Sequence, residues 1–290
     1  MSPRSWFQRR RNDPVEITGQ HHEFASLMRL LAARLPVALV GPAGSGKTRA
    51  ASAAAEALGL AFYAKSMGPT TTEFDLLGYR DASGNYVPGF LREPFEKGGV
   101  VLFDEMDASS AAPTVVLNNA LGGREIGFPD GMRKAHPDWV AVAAMNTFGL
   151  GANFEYVGRQ KMDAATRDRF MFLDWGYSPE IENAVMAKWV GEYGGTPPVD
   201  AQLFPKYEIE ADRSDEVTAQ RMKEYILMVK SIRKAADESG TRMIVGTRTL
   251  EMGLKAIAVG FTPKAVLEMK VWPGIESEAR TKIESMTGAV

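Results

Sequence analysis

The sequence predicts an α/β domain built around a parallel sheet, followed by a smaller helical domain. From residue 22 onward, segments with helical spacing alternate with short apolar runs, which is the pattern of βα units. The runs are mostly apolar throughout, as expected of strands whose two faces are both covered by helices. After Trp175 the apolar runs end and only helical patterns follow.

Five apolar runs are predicted to form the strands of this sheet. In chain order they cover 36–41, 61–66, 99–105, 139–147 and 170–175. Apolar residues at helical spacing predict one helix over 22–35, before the first strand, and the Ala-rich stretch 48–58 predicts another after it.

Two polar segments that contain glycine interrupt this alternation, at 79–89 and 122–138. Each holds a stretch of turn-forming residues between strand-prone ones, so both are predicted to be β-hairpins. The first contains DASGN (81–85), which approaches the D-x-S-x-S of metal-dependent adhesion domains without matching it. We interpret it as a turn.

Helical patterns over 178–193 and 218–240, with a loop between them, predict a domain boundary near residue 176. The α/β domain is therefore expected to cover 1–176 and the helical domain 177–290. Residues 1–14 contain several arginines and are predicted to be a flexible arm.

The composition excludes several classes of function. The 34 Lys and Arg against 36 Asp and Glu give a net charge of -2, so no global field attracts nucleic acid or anionic membrane. The absence of cysteine excludes disulfides, thiol catalysis and thiolate-bound metals. Of the three histidines, the adjacent His21 and His22 are predicted to be surface residues. No secretory signal and no run of about 18 apolar residues is found, so we expect a cytoplasmic protein.

A phosphate-binding motif follows the first predicted strand. Residues 41–48 read GPAGSGKT, which matches G-x-x-x-x-G-K-[ST] in full. In such a loop the backbone N–H groups converge on phosphate oxygens, the lysine reaches the β and γ phosphates, and the hydroxyl binds Mg²⁺. The predicted ATP-binding residues are Gly41, Pro42, Ala43, Gly44, Ser45, Gly46, Lys47 and Thr48.

A second motif, VVLFDE (100–105), is an apolar strand that ends in two acids and resembles a Walker B motif. Asp104 is predicted to hold Mg²⁺ together with Thr48, and Glu105 to polarise the attacking water as general base.

Four further polar residues are candidates for catalysis. Asn146, at the end of the fourth strand, could orient water near the γ phosphate, or could simply make a turn. Arg167 and Arg169 precede the fifth strand, and either could reach the nucleotide of a neighbouring subunit or pair with Asp163 or Asp168. Arg248 follows Gly246 at a predicted helix start and could contact the nucleotide from the helical domain, or be an ordinary surface arginine.

The order of these motifs resembles the AAA+ ATPases. Asn146 takes the position of sensor 1, Arg167 or Arg169 that of the arginine finger, and Arg248 that of sensor 2. More narrowly, residues 74–109 are similar to the MoxR branch, with D-L-L-G and P-G-x-L elements before Walker B. The sequence DEMDAS departs from the DEINRA usual in that branch and is closer to the ATPase subunit of the aerobic cobaltochelatase.

This resemblance implies a P-loop fold with a five-stranded parallel sheet, helices on both faces and a helical lid. It also implies Mg-dependent ATP hydrolysis in a homo-oligomeric ring, most often a hexamer, because the arginine finger acts in trans. MoxR-type ATPases often work with a separate adaptor that carries a von Willebrand A domain, and on a protein client. On this basis Tyr79 and Tyr86 of the first hairpin are expected to line the ring opening.

Three functions remain open at this stage. The first is a motor or chaperone that remodels or activates a partner protein, possibly for metal or cofactor insertion. The second is a nucleic-acid-dependent motor of the restriction type, which the near balance of charge on the second hairpin disfavours. The third is a nucleotide-binding scaffold that does not hydrolyse ATP, which Glu105 and the finger arginines disfavour.

Overall fold

The computed structural model describes residues 20–154, 156–189 and 215–288. The predicted arm at 1–14 lies outside these residues, as does the loop predicted between the first two helices of the C-terminal domain. The strands are β1 (Val37–Val40), β2 (Phe62–Ser66), β3 (Gly78–Arg80), β4 (Tyr86–Pro88), β5 (Gly99–Asp104), β6 (Glu125–Phe128), β7 (Gly131–Lys134), β8 (Trp139–Met145) and β9 (Met171–Asp174).

The helices are interspersed with these strands as far as β9, and in the described residues after β9 only helices follow. They are α1 (Phe24–Ala32), α2 (Lys47–Ala57), α3 (Glu73–Leu77), α4 (Arg92–Lys97), α5 (Ala111–Gly123), α6 (Ala164–Arg167), α7 (Pro179–Ala187), α8 (Asp215–Ser239), α9 (Thr247–Ala258), α10 (Pro263–Lys270) and α11 (Ser277–Thr287). The chain divides between Gly176 and Tyr177 into two compact units, and Ala43–Ser45 group with the second.

The five predicted strands form one sheet, in the order β2-β5-β8-β1-β9, with every neighbouring pair parallel. β1 lies between β8 and β9, and its Val37 is in register with Val142 on one side and Met171 on the other. The prediction of a parallel five-stranded sheet is therefore confirmed.

Both faces of the sheet are covered. Along β1, Val37 and Leu39 pack into a core with α1 and α2, whereas Ala38 and Val40 pack into the core on the opposite face, which includes Leu117 of α5. Successive strand residues point to opposite faces, so a strand covered on both sides must be apolar at every position. This explains why β1, β5 and β8 are continuous apolar runs.

The prediction for His21 was wrong, since its side chain is only 1% exposed. Its ring stacks on Trp175, with centroids 4.1 Å apart, and its Nε2 lies 3.2 Å from the carbonyl oxygen of Gly176. The neighbouring His22 is exposed and stacks on the outer face of His21. A polar residue just before a helix is here part of the packing at the end of β9.

The two predicted hairpins are confirmed as the antiparallel pairs β3–β4 and β6–β7. In the first turn, Asp81 Oδ1 accepts hydrogen bonds from the backbone N–H groups of Ser83 and Asn85 at 2.9 and 2.8 Å. The carboxylate thus closes a turn, as the sequence suggested.

Charged contacts join the two hairpins to each other and to α4. Arg80 of β3 donates two hydrogen bonds, of 3.1 and 2.9 Å, to the carbonyl of Pro129 between β6 and β7. Asp130 then accepts from Arg92 of α4 at 2.5 Å and from Arg133 of β7 at 2.8 Å. Because these bonds cross between segments distant in sequence, the hairpins and α4 form one cross-braced surface.

The two tyrosines of the first hairpin differ in environment. Tyr79 is half exposed, whereas Tyr86 packs against the core and donates a hydrogen bond of 2.7 Å to the carbonyl of Leu77. Burial also raises the pKa of the Tyr86 hydroxyl above its ordinary value. Tyr79 is therefore the accessible residue of this pair, and a contact role for Tyr86 is not supported.

The second unit has its own core, formed by α7 to α11 around the buried Tyr225 of α8. A partly buried ion pair lies beside this core: Glu182 of α7 is 2.7 Å from Arg233 of α8. Arg233 also donates to the carbonyl of Val245 at 2.6 Å, just before the helix that carries Arg248. The ion pair therefore fixes the start of α9.

Two features are absent from the described part of the chain. No helix there has the length and apolar character needed to cross a bilayer. Likewise, no group of three or more His, Cys, Asp or Glu side chains is placed to hold a metal ion among those residues.

The cross-braced surface depends on the charge of Asp130. The hydrogen bond from Arg92 holds the pKa of the Asp130 carboxyl below its ordinary value. A carboxyl with a lowered folded-state pKa stabilises the fold above its unfolded pKa of about 4, and that contribution is lost as the pH falls through the folded value. The bracing of the hairpins is therefore present at neutral pH and disappears in acid.

We expect Asp130→Ala to lower the Tm at pH 7 and to speed proteolysis within 79–89 and 122–138, because Arg92 and Arg133 lose the carboxylate they share. Glu93→Ala is the matched control, since it breaks an ion pair with Lys97 that is exposed on both sides and contributes little. Thermal melts and limited proteolysis at pH 7 and pH 3 check this, and equal behaviour of the two variants at pH 7 would contradict it.

Candidate nucleotide-binding site

The phosphate-loop sequence joins the end of β1 to the start of α2. Gly44 and Gly46 adopt φ values of +81° and +88°, which only glycine takes without strain, and Gly46 caps the helix that begins at Lys47. The turn therefore leaves the first N–H groups of α2 without partners within the helix, and these groups favour an anion. Ser45 Oγ, buried and without a hydrogen-bond partner in the described structure, adds another unused polar group.

Gly41 is required for packing. A Cβ at this position would lie 2.0 Å from the carbonyl oxygen of Trp175 at the end of β9. The Gly41 N–H donates to the carbonyl of Met145 on the other side, at 3.1 Å. The first residue of the loop is thus held between the ends of two neighbouring strands, which fixes where the loop begins.

Lys47 connects the loop to Asn146. Its Nζ donates to the carbonyl oxygens of Gly41 and Pro42, at 2.6 and 2.9 Å, and to Asn146 Oδ1 at 3.1 Å. The side chain is 7% exposed, so its charge is held close to the loop by three oxygen atoms. The structure therefore brings together two residues that are 99 positions apart in the sequence.

Thr48 and Asp104 also meet. The Thr48 hydroxyl donates to Asp104 Oδ2 at 2.8 Å, so a hydroxyl and a carboxylate lie side by side next to the phosphate loop. Hard oxygen ligands of this kind, few in number and combined with phosphate oxygens, fit Mg²⁺. When bound there, the ion would neutralise charge on the β and γ phosphates of ATP.

Glu105 follows β5 in a left-handed conformation, with φ 55° and ψ 35°. This conformation costs a non-glycine residue about 1–2 kcal/mol. Its side chain is 53% exposed, in contrast to the buried residues around it. Strain of this kind in a turn that presents a reactive group is typical of functional sites, and it leaves the carboxylate accessible to a water molecule.

The sequence reasoning missed Asp107, which is fully buried. Its Oδ2 accepts hydrogen bonds from the N–H of Asn146 at 3.1 Å and from the N–H and hydroxyl of Thr147, both at 2.9 Å. Asp107 therefore anchors the backbone that carries Asn146. The signal available in the sequence was a third acid, two positions after Glu105, in an otherwise apolar stretch.

Arg159 was also missed. Its Nη1 lies 3.7 Å from Glu105 Oε2 and 3.5 Å from Asp107 Oδ1, and its side chain is only 12% exposed. It lies between β8 and α6, in a stretch of sequence where no periodic pattern marked it. One guanidinium thus contacts two of the acids that follow β5.

Arg167 and Arg169 lie at the end of α6 and just beyond it. Asp163 caps this helix by accepting from the N–H and the hydroxyl of Thr166, and the backbone hydrogen bond is the main cause of its lowered pKa. The charge of Arg169 contributes to the same lowering of the Asp163 pKa. Arg169 donates to the carbonyl of Ala165, while the buried Nε of Arg167 has no hydrogen-bond partner among the described residues.

Arg248 lies in the second unit, at the second residue of α9. Ala43–Ser45 belong to the same unit, where a Cβ on Gly44 would lie 3.0 Å from the Cβ of Arg248. The Tyr177 hydroxyl donates to the carbonyl of Ala43 at 3.2 Å. The position after Gly246 is thus a helix start, as the sequence predicted.

The arrangement can bind a phosphate chain and present a carboxylate to it. Lys47 and the start of α2 supply positive charge, Thr48 and Asp104 offer oxygen atoms that would hold Mg²⁺, and Asn146 lies beside Lys47. Glu105 is the exposed carboxylate next to these groups. This set of side chains suits transfer of a phosphoryl group to water.

A family model described as the AAA domain of the dynein-related subfamily matches residues 36–170 of this chain. Protein CbbQ of Hydrogenophilus thermoluteolus is 28% identical over 162 residues, which are 53% of this chain and 58% of CbbQ. Midasin of Dictyostelium discoideum is 31% identical over 54% of this chain and 3% of its own length.

A Lon protease of Mycoplasma mobile is 38% identical over 79 residues, which cover 26% of this chain and 10% of the protease. The chain therefore spans about a tenth of the Lon protease it matches and little more than half of CbbQ. Among solved structures, the match to NtrX of Brucella abortus covers 99% of this chain and 54% of the NtrX chain, at 15% identity and a TM-score of 0.45.

The close contact at Gly41 predicts that a larger residue at this position destabilises the fold. We expect Gly41→Ala to lower the free energy of unfolding by about 1–3 kcal/mol, because the new methyl group must displace backbone at the end of β9. Gly68→Ala is the control, since a Cβ there meets nothing within 4 Å. Urea denaturation of both variants measures the difference, and a Gly41→Ala protein as stable as the control would show the contact to be unimportant.

Proposed function

We propose that this chain is a ring motor of the MoxR type within the AAA ATPases, on the basis of the AAA-domain match over its residues 36–170. In this proposal it hydrolyses ATP with Mg²⁺ and uses the energy to remodel or activate a partner protein. The similarity to CbbQ over 53% of the chain supports placing it near this branch.

The observation that carries the proposal is the meeting of two hydrogen-bonded pairs at one edge of the sheet. Lys47 with Asn146, and Thr48 with Asp104, lie at the ends of β1, β8 and β5. Polar groups concentrated where parallel strands end are the usual site of ligand binding in such folds. The proposed roles are phosphate binding for Lys47 and the ligation of Mg²⁺ for Thr48 and Asp104.

Glu105 is proposed as the general base and Asn146 as the residue that orients water. Arg167 or Arg169 is proposed to act on the nucleotide of a neighbouring subunit, so that hydrolysis needs a ring, which we expect to be a hexamer. Arg248 is proposed to contact the nucleotide from the second unit.

We further propose that the partner side involves a protein client and a separate adaptor with a von Willebrand A domain, as the MoxR resemblance implies. A nucleic-acid motor is less well supported, because the arginines of the hairpins already contact other groups of the chain. Arg133 pairs with Glu96 and Asp130, and Arg124 donates to backbone carbonyls. Metal or cofactor insertion is one form that the client's activation could take.

The first experiment measures the mass in solution and phosphate release of the wild type and of Glu105→Gln. With ATP and Mg²⁺, Glu105→Gln is expected to form a ring while hydrolysing about 100-fold more slowly, because nucleotide binding is retained and the general base is lost. Glu56→Gln, an exposed glutamate on α2, is the matched control and should resemble the wild type. Unchanged phosphate release in Glu105→Gln would favour a scaffold that does not hydrolyse ATP, and a monomer under all conditions would contradict the ring.

Mixing experiments test which arginine acts in trans. Loss of the true finger is expected to reduce kcat by about a thousandfold, since the charge on the transferred phosphoryl group is no longer compensated. Adding Glu105→Gln subunits to that variant should restore activity, because each supplies an intact arginine to a neighbour with an intact Glu105. Arg167→Ala and Arg169→Ala are each mixed in this way, and a variant that gains nothing has lost a structural residue.

A further inference from the structure

We infer that Arg159 is a positioning residue for ATP hydrolysis, which fixes the Glu105 carboxylate through an anchor on the buried Asp107. This inference rests on the proposed function, since it concerns the same site. It assigns a role to a side chain that neither the motifs nor the family similarity identified. The role is to limit the orientations of Glu105 so that it addresses the attacking water.

The buried Asp107 anchors Arg159. Asp107 is a fully buried carboxylate whose Oδ2 is used by three hydrogen bonds, while its Oδ1 has none and lies 3.5 Å from Arg159 Nη1. A buried charge needs a compensating charge nearby, and this guanidinium provides it. A backbone hydrogen bond reinforces the contact between Arg159 and Asp107, since the N–H of Gln160 donates to the carbonyl of Asp107 at 2.7 Å.

Arg159 restrains Glu105, and not the reverse. Arg159 is nearly buried, and its guanidinium lies 5.9 Å from the centre of the Tyr156 ring, whereas the Glu105 side chain is half exposed. The better-fixed partner of an ion pair determines the position of the other. Because the same Nη1 contacts both acids, Asp107 fixes Arg159, and Arg159 in turn restrains Glu105.

Asp107 also connects Glu105 to Asn146. Asp107 Oδ2 binds the backbone N–H groups of Asn146 and Thr147, so the same carboxylate also positions the residue proposed to orient water. The positions of the two side chains proposed to act on the water, Glu105 and Asn146, therefore both depend on one buried acid, Asp107. Their relative placement does not depend on the exposed surface.

The test compares Arg159→Met with Arg159→Lys in the full-length protein. Methionine keeps much of the length without the charge, so kcat is expected to fall by about 10- to 100-fold while KM for ATP changes little, because only the orientation of the base is lost. Lysine keeps the charge without the planar fork and should retain more activity than methionine. Binding of a fluorescent ADP analogue is measured alongside and should be unchanged.

The matched control is Arg280→Met. Arg280 also contacts two carboxylates, Glu268 and Glu284, and lies over an aromatic ring, that of Trp272, but it is in the second unit and far along the chain from the site. It should have wild-type kcat. A loss of activity equal to that of Arg159→Met would show that any arginine bridging two acids has this effect.

A purely structural role is separated by the double variant Arg159→Met/Asp107→Asn, which removes both charges and keeps an oxygen to accept the hydrogen bonds of Asn146 and Thr147. The Tm should recover while kcat stays low; recovery of kcat would overturn the inference.

In a Glu105→Gln background, Arg159→Met should cause no further loss in single-turnover hydrolysis, and an independent further loss would also overturn it. Absence of hydrolysis by the wild-type ring would remove the proposed function itself, whereas an active wild type with an equally active Arg159→Met removes this inference alone.

Discussion

The parallel pairing of β1 with β8 on one side and β9 on the other is the constraint on which the rest of the structure depends. Parallel strands end at the same edge, so the loop after β1, the Asn146 that follows β8 and the Asp104 that ends β5 are placed together. A shift of one residue in this pairing would exchange the two faces of each strand and move Asn146 away from Lys47. The close fit of Gly41 against Trp175 prevents such a shift on the β9 side.

The charged side chains at this edge of the sheet differ in solvent exposure. Lys47 and Asp107 are buried, and each makes three hydrogen bonds to the loop or strand ends around it, so their positions are fixed. Glu105 is exposed, and its restraint comes from one guanidinium rather than from packing. A group that must meet a water molecule has to remain accessible, whereas the groups that define the site gain from burial because electrostatic interactions there are less screened. The strained turn at Glu105 belongs to the same arrangement.

Much of the fold could be predicted from the sequence because its signals are local. The strands β1, β5 and β8 are apolar runs, each hairpin has its own turn residues, and the phosphate loop is contiguous. The burial of His21 depends on Trp175, which is distant in sequence, and it was missed for that reason. Arg159 was missed because its partners lie more than 50 positions earlier in the chain and its own segment has no regular structure. Helix α5 escaped prediction because its sequence, AAPTVVLNNALGG, contains Pro113 and a β-branched stretch.

The bracing of the hairpins bears on how a motor of the proposed type could use its site. Arg92 and Glu96 of α4 contact Asp130 and Arg133 of the second hairpin, and α4 is followed almost directly by β5. The far end of β5 carries Asp104 and Glu105. A load on the hairpins would therefore be applied to the same strand that leads to the proposed Mg²⁺ ligand, Asp104, and the proposed general base, Glu105, with one short helix between them. Because α4 is held to the hairpins by several charged contacts and to β5 by covalent linkage, the coupling needs no additional moving element.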